Sequence, residues 1–284
     1  MKGSIGSIFR YKGVFTNWQY VIFGYLRGKY PITAKMKDGP TVTINNPLQL
    51  WLTSYGIYTD YDEKTDITSF SFKNHEYKFK GASKNGDLAD VFGSEEFKSI
   101  NFINKIVLDI GANIGDSSIY FATLGAKKVI AVEPFPKSFE SLKKNVILNE
   151  VSDKVVCLNL AVSDKNGKIH LDESTEDSTT MMALDQGNGI EVQTKTLYDL
   201  IRDYEIKDSV LKIDCEGCEY DIFKDLNPSY LNFFEYIWIE YHSGLKMTKR
   251  IILQKLKEAG FHYNIQKKGG KVGYIIAYKC NEKI

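Results

Sequence analysis

Val107-Leu108-Asp109-Ile110-Gly111-Ala112-Asn113-Ile114-Gly115-Asp116 is the stretch that decides the fold of this chain. Its apolar run, beginning at Ile106, reads as a buried strand. The run ends in an acid and a glycine-rich turn, and residues 117–124 follow at once with a helical pattern. Glycine has no Cβ and reaches positive φ freely, so such a turn lets backbone approach a ligand closely. Strand-to-helix turns of this kind hold nucleotide-like groups. The spacing here is Asp109-x-Gly111-x-Asn113-x-Gly115 rather than G-x-G-x-x-G. The dinucleotide fingerprint therefore fails, which counts against a nicotinamide oxidoreductase. Asp109, at the carboxyl end of the strand, either faces a cationic amine or caps the helix.

Outward from this turn, strand and helix alternate. Strands are expected at residues 105–110, 128–132, 155–160, 210–213 and 236–241, with helices at 117–124, 136–149, 197–204, 219–226 and 249–259. A hairpin-like insertion with a polar loop occupies 172–188. The pattern predicts an α/β, Rossmann-like fold with a doubly wound, mostly parallel sheet. Two late strands, 261–266 and 272–278, meet at Gly269-Gly270 and bring a late antiparallel strand into it.

Residues 1–100 read as an N-terminal α/β extension to a domain spanning 101–284. Within it, an aromatic helix from Phe15 to Leu26 is flanked by Arg10, Lys12, Arg27 and Lys29. It is expected to pack on the catalytic domain, with a peripheral membrane or lipid contact as the alternative. A strand at 41–44, a helix at 47–55, a hairpin over 69–79 turning at Lys73-Asn74 and a helix from Gly86 to Phe92 follow.

With 284 residues, 43% of them hydrophobic, the chain can bury a sizeable core. Lys+Arg 37 against Asp+Glu 36 leaves a net charge of +1, without the basic excess of a nucleic-acid binder, so no nucleic-acid partner is expected. No signal peptide and no apolar run of membrane-spanning length are found. The four cysteines, Cys157, Cys215, Cys218 and Cys280, are then expected as reduced thiols in a cytoplasmic protein, membrane-peripheral if the aromatic helix touches lipid.

Glu133 ends the second strand, 24 positions after Asp109. A carboxylate there has two oxygens suitably spaced for both hydroxyls of a ribose. With VLDIGANIGD (107–116) and VIAVEPFP (129–136), the chain carries LNLAVSD (158–164), LKIDCEGCEYDIF (211–223) and IWIEYH (237–242). Together these motifs resemble the FkbM-type family of S-adenosylmethionine-dependent methyltransferases, over about residues 105–280. The resemblance implies a class I methyltransferase architecture, with S-adenosylmethionine as cofactor. It implies that Asp109, Gly111, Asn113 and Gly115 surround the methionine part, that Glu133 binds the ribose, that Asn159 to Ala161 border the adenine, and that Asp214 completes the cofactor site. It also implies O-methylation, often of sugars or polyketide-type products. Cys218 stands where a small residue such as Ala is common.

Asp214 and Glu216 follow the fourth strand, and Glu240 and His242 end the fifth, so adjacent strands would bring all four to one rim beside the sulfonium. Methyl transfer is an in-line displacement that needs alignment and, for an alcohol, a base. His242 is the natural base and Asp214 the runner-up. The alternative is a divalent ion, Mg²⁺ by its oxygen ligands, held among Asp214, Glu216, Glu240 and His242, with Asp214, Glu240 and His242 as the main set. Cys215-Glu216-Gly217-Cys218 lacks a second pair for zinc and is read as a coincidence of the motif, with a redox thiol pair at a helix N-terminus as the alternative.

The expected function is O-methyl transfer to a hydroxyl of a glycan or other polyhydroxylated small molecule, with residues 1–100 contributing to the acceptor site or to oligomer contacts. The alternatives are a lipid-linked or small secondary-metabolite acceptor, or a non-catalytic cofactor-binding module. The intact rim counts against the last.

Overall fold

The computed structural model describes residues 5–172, 189–242, 247–269 and 272–279. The chain divides into two compact units, Met1–Ser99 and Ile100–Ile284.

The first unit begins with helices α1 (Ile5–Val14) and α2 (Trp18–Leu26), then strands β1 (Ile32–Lys35) and β2 (Thr41–Ile44). The helix expected from Phe15 to Leu26 is α2, which starts only at Trp18, and α1 precedes it. Phe15 lies between them, fully buried and bridged to Met36, because its ring packs with Tyr11, Val21, Ile32 and Leu50 in a small core. Helix α3 (Pro47–Thr53) starts at Asn46, whose side chain accepts from the Gln49 N–H, a cap that proline at the first helical position favours. A three-stranded sheet follows, β3 (Thr59–Asp62), β4 (Ile67–Phe72) and β5 (His75–Lys80). Lys73 and Asn74 both take positive φ in the β4–β5 turn, the geometry that matches strand twist in a two-residue hairpin. Helix α4 (Gly86–Gly93) buries Phe92 against Phe70 and Tyr77, with ring centroids 5.0 and 4.7 Å away.

The second unit is built on seven strands. In chain order these are β6 (Ile106–Ile110), β7 (Lys128–Val132), β8 (Val155–Leu158), β12 (Ser209–Ile213), β13 (Phe234–His242), β14 (His262–Gly269) and β15 (Val272–Tyr278). Their order across the sheet is β14-β15-β13-β12-β6-β7-β8. β15 pairs antiparallel with both neighbours, and the pairings β12–β13, β12–β6, β6–β7 and β7–β8 are parallel. Parallel neighbours need crossovers, supplied by helices α5 (Asp116–Thr123), α6 (Pro136–Leu148), α7 (Leu197–Asp203), α8 (Glu219–Lys224) and α9 (Thr248–Glu258). The central strands are buried almost throughout, as a parallel sheet covered on both faces requires.

The strand expected at 155–160 stops at Leu158, and its continuation joins another sheet. β9 (Ala161–Val162) pairs parallel with β11 (Ile190–Lys195), which is antiparallel to β10 (Gly167–Leu171). The polar loop expected between β10 and β11 falls, from residue 173 to 188, outside the described residues, as does Gly270 of the expected last turn. No helix among the described residues is long and apolar enough to cross a membrane.

Candidate functional site

The glycine turn joins β6 to α5 at the carboxyl edge of the sheet. Gly111, Asn113 and Gly115 all have positive φ, at 80°, 47° and 96°. Gly111 N–H and Ala112 N–H both donate to the Val132 carbonyl at 3.0 Å, which ties the turn to the end of β7. At Gly111 the need for glycine is absolute: an added Cβ would sit 1.7 Å from the Asp214 carbonyl oxygen. The left-handed Asn113 turns its N–H onto Glu133 Oε2 at 2.8 Å, while Phe135 N–H donates to Oε1 at 2.9 Å. Glu133 is thus held by two backbone donors, one from each strand-to-helix turn. Asn159 Nδ2 donates to the carbonyls of Glu133 and Pro134, both at 2.9 Å, and so fixes the second turn. A small depression here is lined by Gly111, Pro134, Leu160, Ala161, Cys215 and Cys218 among others.

Asp109 contacts the first turn of α5, on the helix side of its two expected positions. It is fully buried, its Oδ2 accepting from Ser117 Oγ at 2.7 Å and Ser118 Oγ at 2.5 Å. Its Oδ1 lies 3.0 Å from Lys212 Nζ, which also donates to the Gly111 carbonyl at 2.7 Å. Asp109 therefore anchors the first turn of α5 and a buried lysine, and faces no open space. Burial pulls the Lys212 ammonium towards neutrality, but Asp109, Asp214 and Asp116 outweigh it and raise its pKa.

The rim forms at the ends of β12 and β13. Alternation along β13 puts Glu240 and His242 on one face, and β12 delivers Asp214 and Glu216 beside them. His242 Nε2 is 2.8 Å from Glu216 and 3.5 Å from Glu240, and Nδ1 is 3.0 Å from Glu219. Burial alone would lower the imidazole pKa, yet the bonds to Glu216, Glu219 and Glu240 win and push it up to about 12. These carboxylates therefore favour the imidazolium form of His242. In that state it has no lone pair with which to take a proton, so its expected role as base meets an electrostatic obstacle.

Asp214, Glu240 and His242 offer donor atoms all within 4.8 Å of one another. His242 already bonds to Glu216, Glu219 and Glu240, so an ion held here would displace those contacts, and no step is derived through Mg²⁺.

The family model for the methyltransferase FkbM domain matches residues 109–263, just over half of the chain. The chain belongs to the FkbM methyltransferase family. This FkbM enzyme is 23% identical over 171 residues to methyltransferase sdnD of Sordaria araneosa, covering 48% of this chain and 66% of the relative. It is 37% identical over 65 residues to a tRNA(Phe) (4-demethylwyosine(37)-C(7)) aminocarboxypropyltransferase of Pyrococcus horikoshii, covering 23% of each. The chain thus spans less than two thirds of the length of either curated relative. Among solved structures it is similar to the ribosomal protein L11 methylase of Lactobacillus delbrueckii subsp. bulgaricus, with 16% identity, TM-score 0.40 and coverage of 64% and 74%. It is also similar to M. jannaschii TYW2 in complex with AdoMet, with 17% identity, TM-score 0.38 and coverage of 78% and 90%. The matched domain is a methyltransferase domain, carried here on an α/β, mostly parallel sheet.

Two residues that contact the candidate site residues lack a signal in the spacing argument. Lys212 is the polar break in an otherwise apolar strand, which is the only trace it leaves in sequence. Glu219, fully buried at the start of α8, follows Glu216 by three positions and so shares its helix-entry face. Cys215 and Cys218 depart from expectation as well: they form a disulfide, not a pair of free thiols. Positive φ at Glu216 and Gly217 curls the intervening turn and brings the two Cα atoms to 5.5 Å.

Proposed function

We propose that this enzyme transfers the methyl group of S-adenosylmethionine to a hydroxyl oxygen of a glycan or other polyhydroxylated acceptor, at the rim formed by Asp214, Glu216, Glu240 and His242. The observation that carries this reading is the convergence of these four side chains at the carboxyl ends of β12 and β13, next to the Gly111 turn. The cofactor supplies an electrophilic methyl on a cationic sulfur. An array of carboxylates around a single imidazolium keeps the rim net negative, which favours that cation over its neutral product form.

Asp109 positions the first turn through Lys212, Ser117 and Ser118, while Gly111, Asn113 and Gly115 shape the backbone that receives the methionine part. Glu133, fixed by the N–H groups of Asn113 and Phe135, presents the carboxylate that receives the ribose hydroxyls. Asn159 and Ala161 border the adenine side. Asp214 acts as proton acceptor for the attacking hydroxyl, because the two nitrogens of His242 are committed to carboxylates. His242 then serves as a positioning residue that holds Glu216, Glu219 and Glu240 in place.

The test is transfer of label from methyl-tritiated S-adenosylmethionine to extracted glycans, lipids, metabolites and RNA, with Asp214→Asn alongside. Label in an alkali-stable ether on a glycan hydroxyl is expected, with turnover reduced about 100-fold or more in Asp214→Asn. Label confined to RNA, or full activity of that variant, overturns the acceptor or the base respectively. A lipid-linked hydroxyl is the second reading, favoured by the exposed aromatic face of α2.

A further inference from the structure

The first 37 residues carry seven lysines and arginines and no acid, the first being Asp38. Because the whole chain is only +1, the remainder carries a net charge of −6, by +1 minus +7. This separation of charge coincides with an unusual surface on α1 and α2. Val21 on α2 is fully buried, and Gly24 abuts β1 so closely that a Cβ would come within 2.9 Å of Ile32. The opposite face of the same helix presents Tyr20, Phe23 and Leu26, at helical spacing and 57%, 54% and 71% exposed. Phe9 of α1 is 67% exposed. Arg27 lays its guanidinium 3.9 Å over the Phe23 ring, and Lys12, Lys29, Lys35 and Lys37 are exposed in the same unit.

Leaving these large apolar side chains in water forgoes their burial, so a partner that covers them is favoured. The partner's character follows from the charge. Seven cations in a stretch of 37 residues that contains no acid call for an anionic surface, and the aliphatic Leu26 among aromatic rings calls for hydrocarbon at the level where head groups meet acyl chains. RNA would satisfy the cations and stack on the rings, but would leave Leu26 uncovered. A stem that reaches past an aromatic ring to place its charge in the head-group layer is the geometry of Arg27 over Phe23.

We propose that the α1–α2 face is a docking surface for an anionic lipid bilayer. It requires no membrane-spanning helix and is independent of the acceptor the enzyme methylates.

The experiment is co-sedimentation of the full-length protein with vesicles of phosphatidylcholine containing about one-third phosphatidylglycerol, against pure phosphatidylcholine, in low salt and in about 0.5 M salt. Binding to the anionic vesicles alone is expected, and it weakens in high salt. Phe23→Ser/Leu26→Ser and Arg27→Glu/Lys29→Glu are each expected to lower the vesicle partition constant about tenfold with unchanged circular dichroism. All four positions are exposed, so the variants leave the core of the unit intact. Failure to sediment with anionic vesicles overturns the proposal, as does partitioning that neither double variant changes. Binding to single-stranded RNA that is lost in the charge variant, with no vesicle binding, assigns the face to nucleic acid instead.

Discussion

At the scale of single residues, His242 shows how neighbours redefine a side chain. A histidine at a strand end is an ordinary candidate for a base, but one with a carboxylate at each nitrogen is a fixed cation. In the fold its pKa is pushed up to about 12, above the ordinary histidine value of about 6.5. Its contribution to stability is therefore complete below about pH 6.5, where it is charged in both states, provided its carboxylate partners remain ionised. It erodes above that value and is lost as pH rises through the folded pKa. Denaturant melts of the wild type and His242→Gln should show a stability difference that narrows as pH rises above the free-histidine value. A ring that titrates by NMR like a free histidine would refute the enclosed-cation description. The motif made His242 conspicuous; the identity of its Nδ1 partner, Glu219 on α8, depended on the packing of that helix against the end of β13.

Among elements, the junction of β6 and β12 is held by a buried charge pair. Parallel register sets Lys212 opposite Asp109, and both are nearly inaccessible to water, at 4% and 0% of the side chain. Such a pair adds little over an apolar pair, but removal of one member strands the other charge. Lys212→Met should thus destabilise the protein by about 3–5 kcal/mol, read from the denaturant midpoint. Lys212→Met with Asp109→Leu should recover part of the loss, and a single variant as stable as wild type would show that Asp109 does not depend on this partner. The alternation of strands and helices was readable because each element's hydrophobic period is local. Where β8 ends was not: Leu158 and Ala161 are separated by two residues, yet belong to different sheets, a choice made by the partners available rather than by propensity.

On the scale of the whole molecule, cofactor binding is linked to folding. S-adenosylmethionine at about 100 times its Kd should add about 2.7 kcal/mol and raise the transition of the enzyme by several degrees in calorimetry. Glu133→Ala should lose most of that shift, whatever it does to the midpoint of the free protein, if the ribose role proposed for Glu133 holds. An unaltered shift would remove it. The two units also divide the chain's chemistry: the first has the basic, aromatic helices and the second the acid-rich rim, a polarity hidden in a near-neutral total.

By itself the sequence determined the α/β alternation, the late antiparallel strand, the FkbM motifs and the glycines of the first turn. Each of these is encoded in short-range periodicity or in residues adjacent along the chain. Only the tertiary structure decided that Asp109 is buried on Lys212, that Phe15 separates two helices, that Cys215 and Cys218 are joined, and that His242 is held as a cation. Those outcomes depend on which distant groups share a low-dielectric space, and charge state, burial and pairing there are properties of the neighbours as much as of the residue.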